Sequence, residues 1–209
     1  MKCDSNGFFY PEIDSDLCVD CGLCKKTCCY QNPQIPVSLR KTYAASAVNT
    51  NILNSASGGI FAGIAIEVLN RGGAVWGSSM YYSDNSLEVK HVCITDANDL
   101  DQLRGSKYVQ SNLADAFPVI KEQLQNHQTV LFSGTPCQLA GLYGYLGRDY
   151  PDLYTIDIVC HGVPSLQFFH SYIAFEESKR GGKIIEFKFR NKDDGWKLHG
   201  KMSVRKEDG

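Results

Sequence analysis

The sequence predicts an α/β fold: a mixed, largely parallel sheet flanked by helices, with a small cysteine-rich segment at the N-terminus. Three observations support this prediction. Four of the nine cysteines lie within residues 18–28, strand-like and helix-like hydrophobic periods alternate from residue 42 onward, and two successive strand–turn–helix units occupy residues 129–179. The expected boundaries are residues 1–40 for the N-terminal segment and 41–209 for the α/β domain.

The N-terminal cysteines have the spacing of an iron–sulfur loop. Two residues separate Cys18 from Cys21 and Cys21 from Cys24, and Cys28 follows after three more. Three thiols at this spacing can reach different irons of one cubane, and the fourth completes the bacterial ferredoxin pattern, which predicts a ferredoxin-type 4Fe-4S cluster. That pattern normally ends in Pro, but Cys29 stands there, so either Cys28 or Cys29 is the fourth ligand.

Structural zinc and disulfides are the alternative uses of these cysteines. Zinc sites usually combine two separated Cys-x-x-Cys or Cys/His pairs, whereas here three thiols share one loop and a fourth is close behind. Disulfides are disfavoured because no secretory leader precedes the cysteines and a chain of 209 residues does not depend on cross-links. A short segment buries little apolar surface, so a metal cluster would supply much of its folding free energy.

Composition and charge argue against several classes of protein. Hydrophobic residues make up 43% and charged residues 21% of the chain, as in ordinary globular proteins. The formal net charge of -2 gives no general attraction to nucleic acid or anionic lipid. No apolar run approaches the roughly 20 residues needed to span a bilayer. We therefore expect a cytoplasmic protein without a membrane span or a nucleic-acid partner.

The α/β domain shows alternating strand and helix patterns. The helix beginning at Ser57 has Ile60, Ile64 and Val68 on one face, and Pro118 is tolerated in the first turn of a later helix. The predicted elements are strand 42–48, helix 57–70, an antiparallel hairpin of strands 74–82 and 87–94, short helix 96–103, helix 113–124, strand 129–133, helix 139–146, strand 153–159, helix 165–179 and strand 184–190.

Two turns, 134–138 and 160–164, follow neighbouring strands. Strand–turn–helix units favour parallel strands with right-handed crossovers, so both turns should lie at the carboxyl edge of the sheet, where ligands of open α/β sheets bind. Cys137 and Cys160 occupy matching positions in these turns. They either supply half of a second cluster or pack at the edge of a pocket, whereas Cys93 is expected to be a small buried hydrophobic residue.

Four motifs in this order resemble the beta-subunit family of coenzyme F420 (deazaflavin) hydrogenases and dehydrogenases. They are residues 54–61 (NSASGGIF), 103–111 (LRGSKYVQS), 133–138 (SGTPCQ) and 160–165 (CHGVPS). The likeness covers nearly the whole chain and is closest to the bacterial branch found among polysaccharide-biosynthesis genes. It implies an FAD-binding α/β domain with iron–sulfur clusters, which passes electrons between a hydride carrier and a one-electron partner.

The sequence departs from this family in two places. Members of the branch commonly carry a complete two-cluster ferredoxin domain, and residues 8–28 resemble only its second half. The family also continues past residues 189–196 into a further cysteine-bearing segment, while this chain stops at Gly209. We therefore expect a chain truncated at both ends, with a half ferredoxin domain and a C-terminally incomplete flavin-binding domain.

The motifs also supply candidate flavin contacts. Ser57 is predicted to cap a helix while Gly58 and Gly59 leave backbone N–H groups free for a pyrophosphate; an ordinary helix cap is the alternative. Lys107 and Tyr108 offer a cation and an aromatic face, or else form a solvated lysine beside a half-buried tyrosine. The full set of candidate contacts is Ser57, Gly58, Gly59, Lys107, Tyr108, Gln110, Ser133, Gly134, Thr135, Pro136 and Gln138.

The sequence thus predicts a flavin- and iron–sulfur-dependent oxidoreductase that passes electrons between a hydride carrier, such as a deazaflavin coenzyme, and a 4Fe-4S cluster. His161 is either a proton donor to reduced flavin or a structural histidine beside a glycine. The expected partner is a redox protein or the hydride-carrier coenzyme. The alternative is a non-catalytic electron-transfer or scaffold subunit that keeps the cluster but has lost flavin or substrate binding.

Overall fold

The computed structural model describes residues 2–28, 31, 41–48, 55–113, 115–192 and 199–205. Its elements are β1 (Lys2–Cys3), β2 (Phe9–Tyr10), α1 (Leu23–Thr27), α2 (Ile60–Asn70), β3 (Ala74–Ser83), β4 (Ser86–Ile94), a 3-10 helix (Ala97–Gln102), α3 (Ala116–Gln125), β5 (Val130–Gly134), α4 (Pro136–Leu146), β6 (Leu153–Asp157), α5 (Leu166–Arg180), β7 (Lys183–Asn191) and β8 (His199–Arg205). Within these ranges no helix combines the length and the apolar character that a membrane crossing requires.

The central sheet has four strands in the order β4-β3-β5-β6. β3 pairs with β4 in antiparallel fashion, while β3 with β5 and β5 with β6 are parallel pairs, so the sheet is mixed and largely parallel. Asp84 and Asn85 connect β3 to β4 with φ angles of 49° and 65°. Two consecutive residues of positive φ form the tight turn that matches the twist of a hairpin. The predicted α/β fold class and the predicted hairpin are both confirmed.

Helices cover both faces of this sheet. On one face, Ala65 of α2 and Leu131 of β5 belong to one buried cluster. On the other, Ile120 of α3 and Leu142 of α4 share a second cluster with Phe132. Because Leu131 and Phe132 are consecutive residues of one strand, their side chains point to opposite faces. The sheet is therefore the middle layer of three.

A second packing unit forms around α5. Phe169 and Ile173 of α5 are buried with Leu87 of β4 and Ile184 of β7. β7 and β8 form their own antiparallel ribbon, with irregular register between Ile184 and Glu186 and again between Lys188 and Asn191. The predicted strand 184–190 is confirmed, but it extends this ribbon and not the central sheet.

The N-terminal segment folds as a hairpin followed by a short helix. β1 and β2 pair with Lys2 opposite Tyr10, and α1 includes Cys24, the third cysteine of the loop. The hairpin turn contacts α5, where the Ser165 hydroxyl donates to the Asn6 carbonyl oxygen at 2.5 Å. Cys29 and residues 32–40 lie outside the described residues, so the domain boundary at residue 40 stays a prediction.

Two element predictions are wrong. Residues 42–48 form no strand; the described segment lies along the start of α2, where the Ala47 N–H donates to the Gly58 carbonyl oxygen at 2.8 Å. Of the three residues predicted on one face of α2, Val68 is buried, whereas Ile60 and Ile64 are 42% and 39% exposed. The buried residues of α2 are Ala62, Ala65, Val68 and Leu69.

Helix α4 begins at Pro136, three residues earlier than predicted. Proline suits the first helical position, where its missing N–H is not needed. The Gln138 side chain supports this start, since its Oε1 accepts from the Thr135 N–H at 3.0 Å. Pro136, Cys137 and Gln138 therefore belong to the first helical turn and not to a turn before it.

Candidate functional site

Three of the four motifs meet at the carboxyl edge of the central sheet. Gly134 lies opposite Asp157 at the ends of parallel strands β5 and β6, so the two following loops leave the sheet at the same edge. Motif 103–111 joins them, because the Gln110 N–H donates to the carbonyl oxygen of Pro164 at 3.1 Å. The structure thus places segments that are distant in sequence around one loop cluster.

A chain of hydrogen bonds holds the loop after β5. Gln138 Nε2 donates to Ser111 Oγ at 2.9 Å. Ser111 Oγ lies 2.9 Å from His91 Nδ1, and His91 Nε2 lies 3.1 Å from the carbonyl oxygen of Ser133. Because a carbonyl oxygen only accepts, this network assigns the imidazole proton to Nε2 and makes Nδ1 the acceptor of the Ser111 hydroxyl.

His91 is the residue of this site that the sequence did not reveal. It is only 4% exposed and stacks on the Phe132 ring, with ring centroids 5.2 Å apart. Burial lowers the pKa of His91 to about 4, against the opposing effect of its hydrogen bond to Ser133, so the ring is neutral at pH 7. On β4, His91 occupies the same face as Leu87 and Val89. A polar residue on this apolar face was the one signal in the sequence that could have indicated a site residue here.

Lys107 is held by the protein and is not freely solvated. Its Nζ donates to the carbonyl oxygens of Gln102 at 3.1 Å and Arg104 at 2.8 Å, at the end of the 3-10 helix. Burial lowers the pKa of Lys107 to about 8. Tyr108 keeps 46% of its surface exposed and meets Phe189 edge-on at 5.5 Å. Of this pair, the tyrosine ring is the more accessible to a ligand.

The glycines before α2 are used by the chain itself. The helix cap is Gly59, with a φ of 78° and no side-chain cap bond, so the prediction that Ser57 caps the helix is wrong. A Cβ at Gly58 would lie 2.7 Å from the Ala45 carbonyl oxygen and 3.3 Å from Ser46 Cα. The contact with segment 41–48 therefore requires a glycine at 58 whether or not a phosphate binds. A short connection joins the end of α2 to the start of β3, so the C-terminal end of the helix lies near the amino edge of the sheet. The N-terminal end of α2, with residues 57–59, therefore lies toward the carboxyl edge.

The thiols of the cysteine loop are accessible. Cys18, Cys21 and Cys24 are exposed, Cys28 is half-buried, and all four are free. Gly22 begins α1 with a φ of 70° and open space around its Cα. In the described ranges no three His, Cys, Asp or Glu side chains are grouped closely enough to hold a metal ion. The donor set fits an iron–sulfur cluster chemically, and the loop would have to close around it.

Cys137, in the first turn of α4, and Cys160, in the loop after β6, both lie at the carboxyl edge and are both exposed. Cys137 Sγ lies 3.2 Å from Thr135 Oγ1, and Cys160 Sγ accepts from the Gly162 N–H at 3.3 Å. His161, between Cys160 and Gly162, is exposed as well. Both thiols are accessible, and whether they bind a cluster or pack at the edge of a flavin pocket stays a prediction.

Cys93 is half-buried beside the α3 and α4 cluster. Burial raises the pKa of its thiol, which accepts from Gln123 Nε2 at 3.7 Å. A thiol in this environment packs as a small hydrophobic residue.

Two comparisons with known proteins support the resemblance carried by the motifs. Residues 127–209 match the family model that describes the C terminus of the coenzyme F420 hydrogenase/dehydrogenase beta subunit. The chain is also similar to a chain from a xenon-derivatized structure of the F420-reducing [NiFe] hydrogenase complex of Methanosarcina barkeri, with a TM-score of 0.51 and 18% identity over 76% of this chain. None of the curated proteins matches.

The two comparisons cover different parts of the chain and support different statements. The structural similarity shows a shared mixed α/β fold, and the aligned part of this chain spans 58% of the length of the hydrogenase chain. The family model begins just before β5 and includes the motifs 133–138 and 160–165. The best-supported part of the resemblance is therefore residues 127–209, which include two of the three motifs at the carboxyl edge.

Proposed function

We propose that this chain is an oxidoreductase of the coenzyme F420 hydrogenase/dehydrogenase beta-subunit type, with FAD at the carboxyl edge of the central sheet and a 4Fe-4S cluster in the loop from Cys18 to Cys28. The observation that carries the proposal is the meeting of motifs 103–111, 133–138 and 160–165 at one edge. Substrate and cofactor sites of open α/β sheets lie at this edge.

FAD, when bound, would supply the exchange between two-electron hydride transfer and one-electron transfer. The residues best placed to hold it are Tyr108, through its exposed ring, and Thr135 and Pro136, at the start of α4. Gln138 acts indirectly, because its side-chain oxygen and nitrogen are engaged by the Thr135 N–H and by Ser111, and the carbonyl oxygen of Ser133 is engaged by His91. A neutral His91 fixes the loop without adding a charge beside the flavin.

Cys18, Cys21 and Cys24 are the proposed ligands of the cluster, with Cys28 as the fourth. Thiolates are the usual ligands of such clusters, and these side chains are free and on one loop. We propose that Cys137 and Cys160 form half of a second cluster in longer relatives, and we expect the pair to hold no metal in this chain of 209 residues. His161 is proposed as a proton donor at the same edge, since it is exposed in the loop that follows β6.

One observation favours the second candidate function, an electron-transfer or scaffold subunit without flavin. Gly58 is in tight contact with Ala45, and the Lys107 ammonium group already bonds two carbonyl oxygens. Two of the predicted flavin contacts are thus partly occupied by the protein. The two candidates differ in one property, which is whether the isolated chain holds flavin.

The test is purification of the whole chain without oxygen, followed by quantification of iron, sulfide and flavin. We expect about four iron atoms per chain for one 4Fe-4S cluster, and flavin absorption beneath the broad iron–sulfur band. Cys21→Ser should lose most of the iron, whereas Cys3→Ser, an exposed cysteine outside the loop, should keep it. Iron without flavin would select the second candidate, and full iron retention in Cys21→Ser would exclude the ligand assignment.

A further inference from the structure

The cysteine-bearing segment, residues 2–28, contacts the α/β unit through a glycine at its hairpin turn. Gly7 has a φ of 83°, and a Cβ there would lie 2.4 Å from Gln167 Cβ of α5. The Ser165 hydroxyl, 1% exposed as a residue, donates to the Asn6 carbonyl oxygen and accepts from the Phe168 N–H at 3.2 Å. The hairpin turn is therefore packed tightly against the first turn of α5.

A second glycine forms the other contact. Gly144 lies inside α4, and a Cβ there would be 2.7 Å from the carbonyl oxygen and 2.9 Å from Cγ2 of Thr27. Glycine weakens a helix interior relative to alanine, so its presence in a helix calls for a packing reason. Gly141, one turn earlier, has no such need, because a Cβ there would meet the Phe117 ring at an ordinary 3.5 Å.

We infer that Gly7 and Gly144 are positioning residues that dock the cysteine loop on α5 and α4. These are the two helices that follow the carboxyl-edge loops, and Thr27 stands between the proposed ligands Cys24 and Cys28. Gly144 lies eight residues after Pro136, about 12 Å along the helix. The docking keeps Cys28 at a constant distance from the carboxyl edge. A role of this distance in electron transfer rests on the proposed function, whereas the docking itself does not.

The position of α1 also explains the burial of the cysteines. Cys28 is half-buried next to the Gly144 contact, while Cys18, Cys21 and Cys24 are exposed. Loss of the contact should expose Cys28 and leave the thiols of the α/β core unaffected. Cys93 reports on that core, because it is half-buried with α3 and α4.

The test compares Gly144→Ala with Gly141→Ala, two glycine-to-alanine changes in one helix, in the whole cofactor-free chain. Alkylation rates of Cys28 and Cys93 are measured by mass spectrometry of peptides. We expect Gly144→Ala to speed alkylation of Cys28 about tenfold, since overpacking opposes the docked state, and to leave Cys93 unchanged. Gly141→Ala should change neither rate. Equal Cys28 rates in all three proteins, or an equal rise at Cys93, would overturn the inference.

Two further measurements separate docking from the proposed function. Gly7→Ala should raise hydrogen exchange of the β1–β2 hairpin while Cys93 stays protected, and unchanged exchange would exclude a role for Gly7. In chains reconstituted with iron and sulfide, Gly144→Ala should shift the reduction potential of the cluster, which depends on solvent exposure, and Gly141→Ala should not. If no cluster forms, the proposed function fails, and the alkylation rates still decide the docking.

Discussion

At the scale of single residues, His91 shows how a buried polar group is kept neutral and satisfied. Both ring nitrogens have partners, Ser111 on one side and the Ser133 carbonyl oxygen on the other. Burial lowers the pKa from 6.5 to about 4. The unfolded chain therefore binds a proton near pH 6.5 that the folded chain accepts only near pH 4, and stability falls as the pH drops through this interval.

The difference between the pKa of His91 in the folded and in the unfolded chain predicts that acid destabilises the protein through this residue. The free energy of unfolding should fall by up to about 3 kcal/mol between pH 6.5 and 4, from the relation of about 1.4 kcal/mol per pKa unit. His91→Gln, which does not titrate, should show a shallower pH dependence than the native chain. Urea unfolding at pH 7, 5.5 and 4.5 measures the free energy of unfolding of both proteins. The same pH dependence in the native chain and in His91→Gln would contradict a lowered pKa of His91.

Gln138 and Ser57 provide a second residue-scale prediction. Gln138→Ala removes a partner of both the Thr135 N–H and the Ser111 hydroxyl, so we expect a loss of about 1–3 kcal/mol in the free energy of unfolding. Ser57→Ala should change it by less than about 0.5 kcal/mol, because Ser57 is exposed and does not cap α2. Chemical unfolding of both variants checks the pair; similar losses would show that Ser57 is a cap after all.

At the scale of elements, local signals decided most of the fold. The predicted helix 57–70 corresponds to α2, and the predicted hairpin of strands 74–82 and 87–94 corresponds to β3 and β4. The strand expected at 42–48 failed, because a strand requires a neighbouring strand and this segment contacts a helix. Strand β8 was not predicted, because its seven residues include only two large apolar ones, Met202 and Val204.

The hairpin turn gives a prediction at this scale. Asn85 has a φ of 65°, a region that glycine enters without steric cost. Asn85→Gly should keep the stability of the native chain within about 0.5 kcal/mol or raise it, whereas Asn85→Val should lower it by roughly 1 kcal/mol or more. Thermal unfolding of the two variants measures the difference, and equal midpoints would argue against a left-handed residue 85.

At the scale of the whole molecule, the site depends on contacts that no local pattern reveals. Motifs 103–111, 133–138 and 160–165 were recognised separately, and parallel strand order predicted that the last two share an edge. The network through His91 was not predictable, since its bond to Ser133 joins residues 42 apart in sequence. The docking of the cysteine loop was not predictable either. Position 144 requires glycine because a side chain there would overlap Thr27, which is distant in sequence.

The proposed function requires that electrons pass between a hydride carrier and the cluster through bound flavin. The most direct test adds the reduced deazaflavin coenzyme, without oxygen, to the whole chain reconstituted with iron, sulfide and FAD, and follows the cluster by electron paramagnetic resonance. We expect the signal of a reduced cluster when FAD is present and no such signal when FAD is omitted. A cluster that dithionite reduces but the coenzyme does not, with FAD bound, would contradict it.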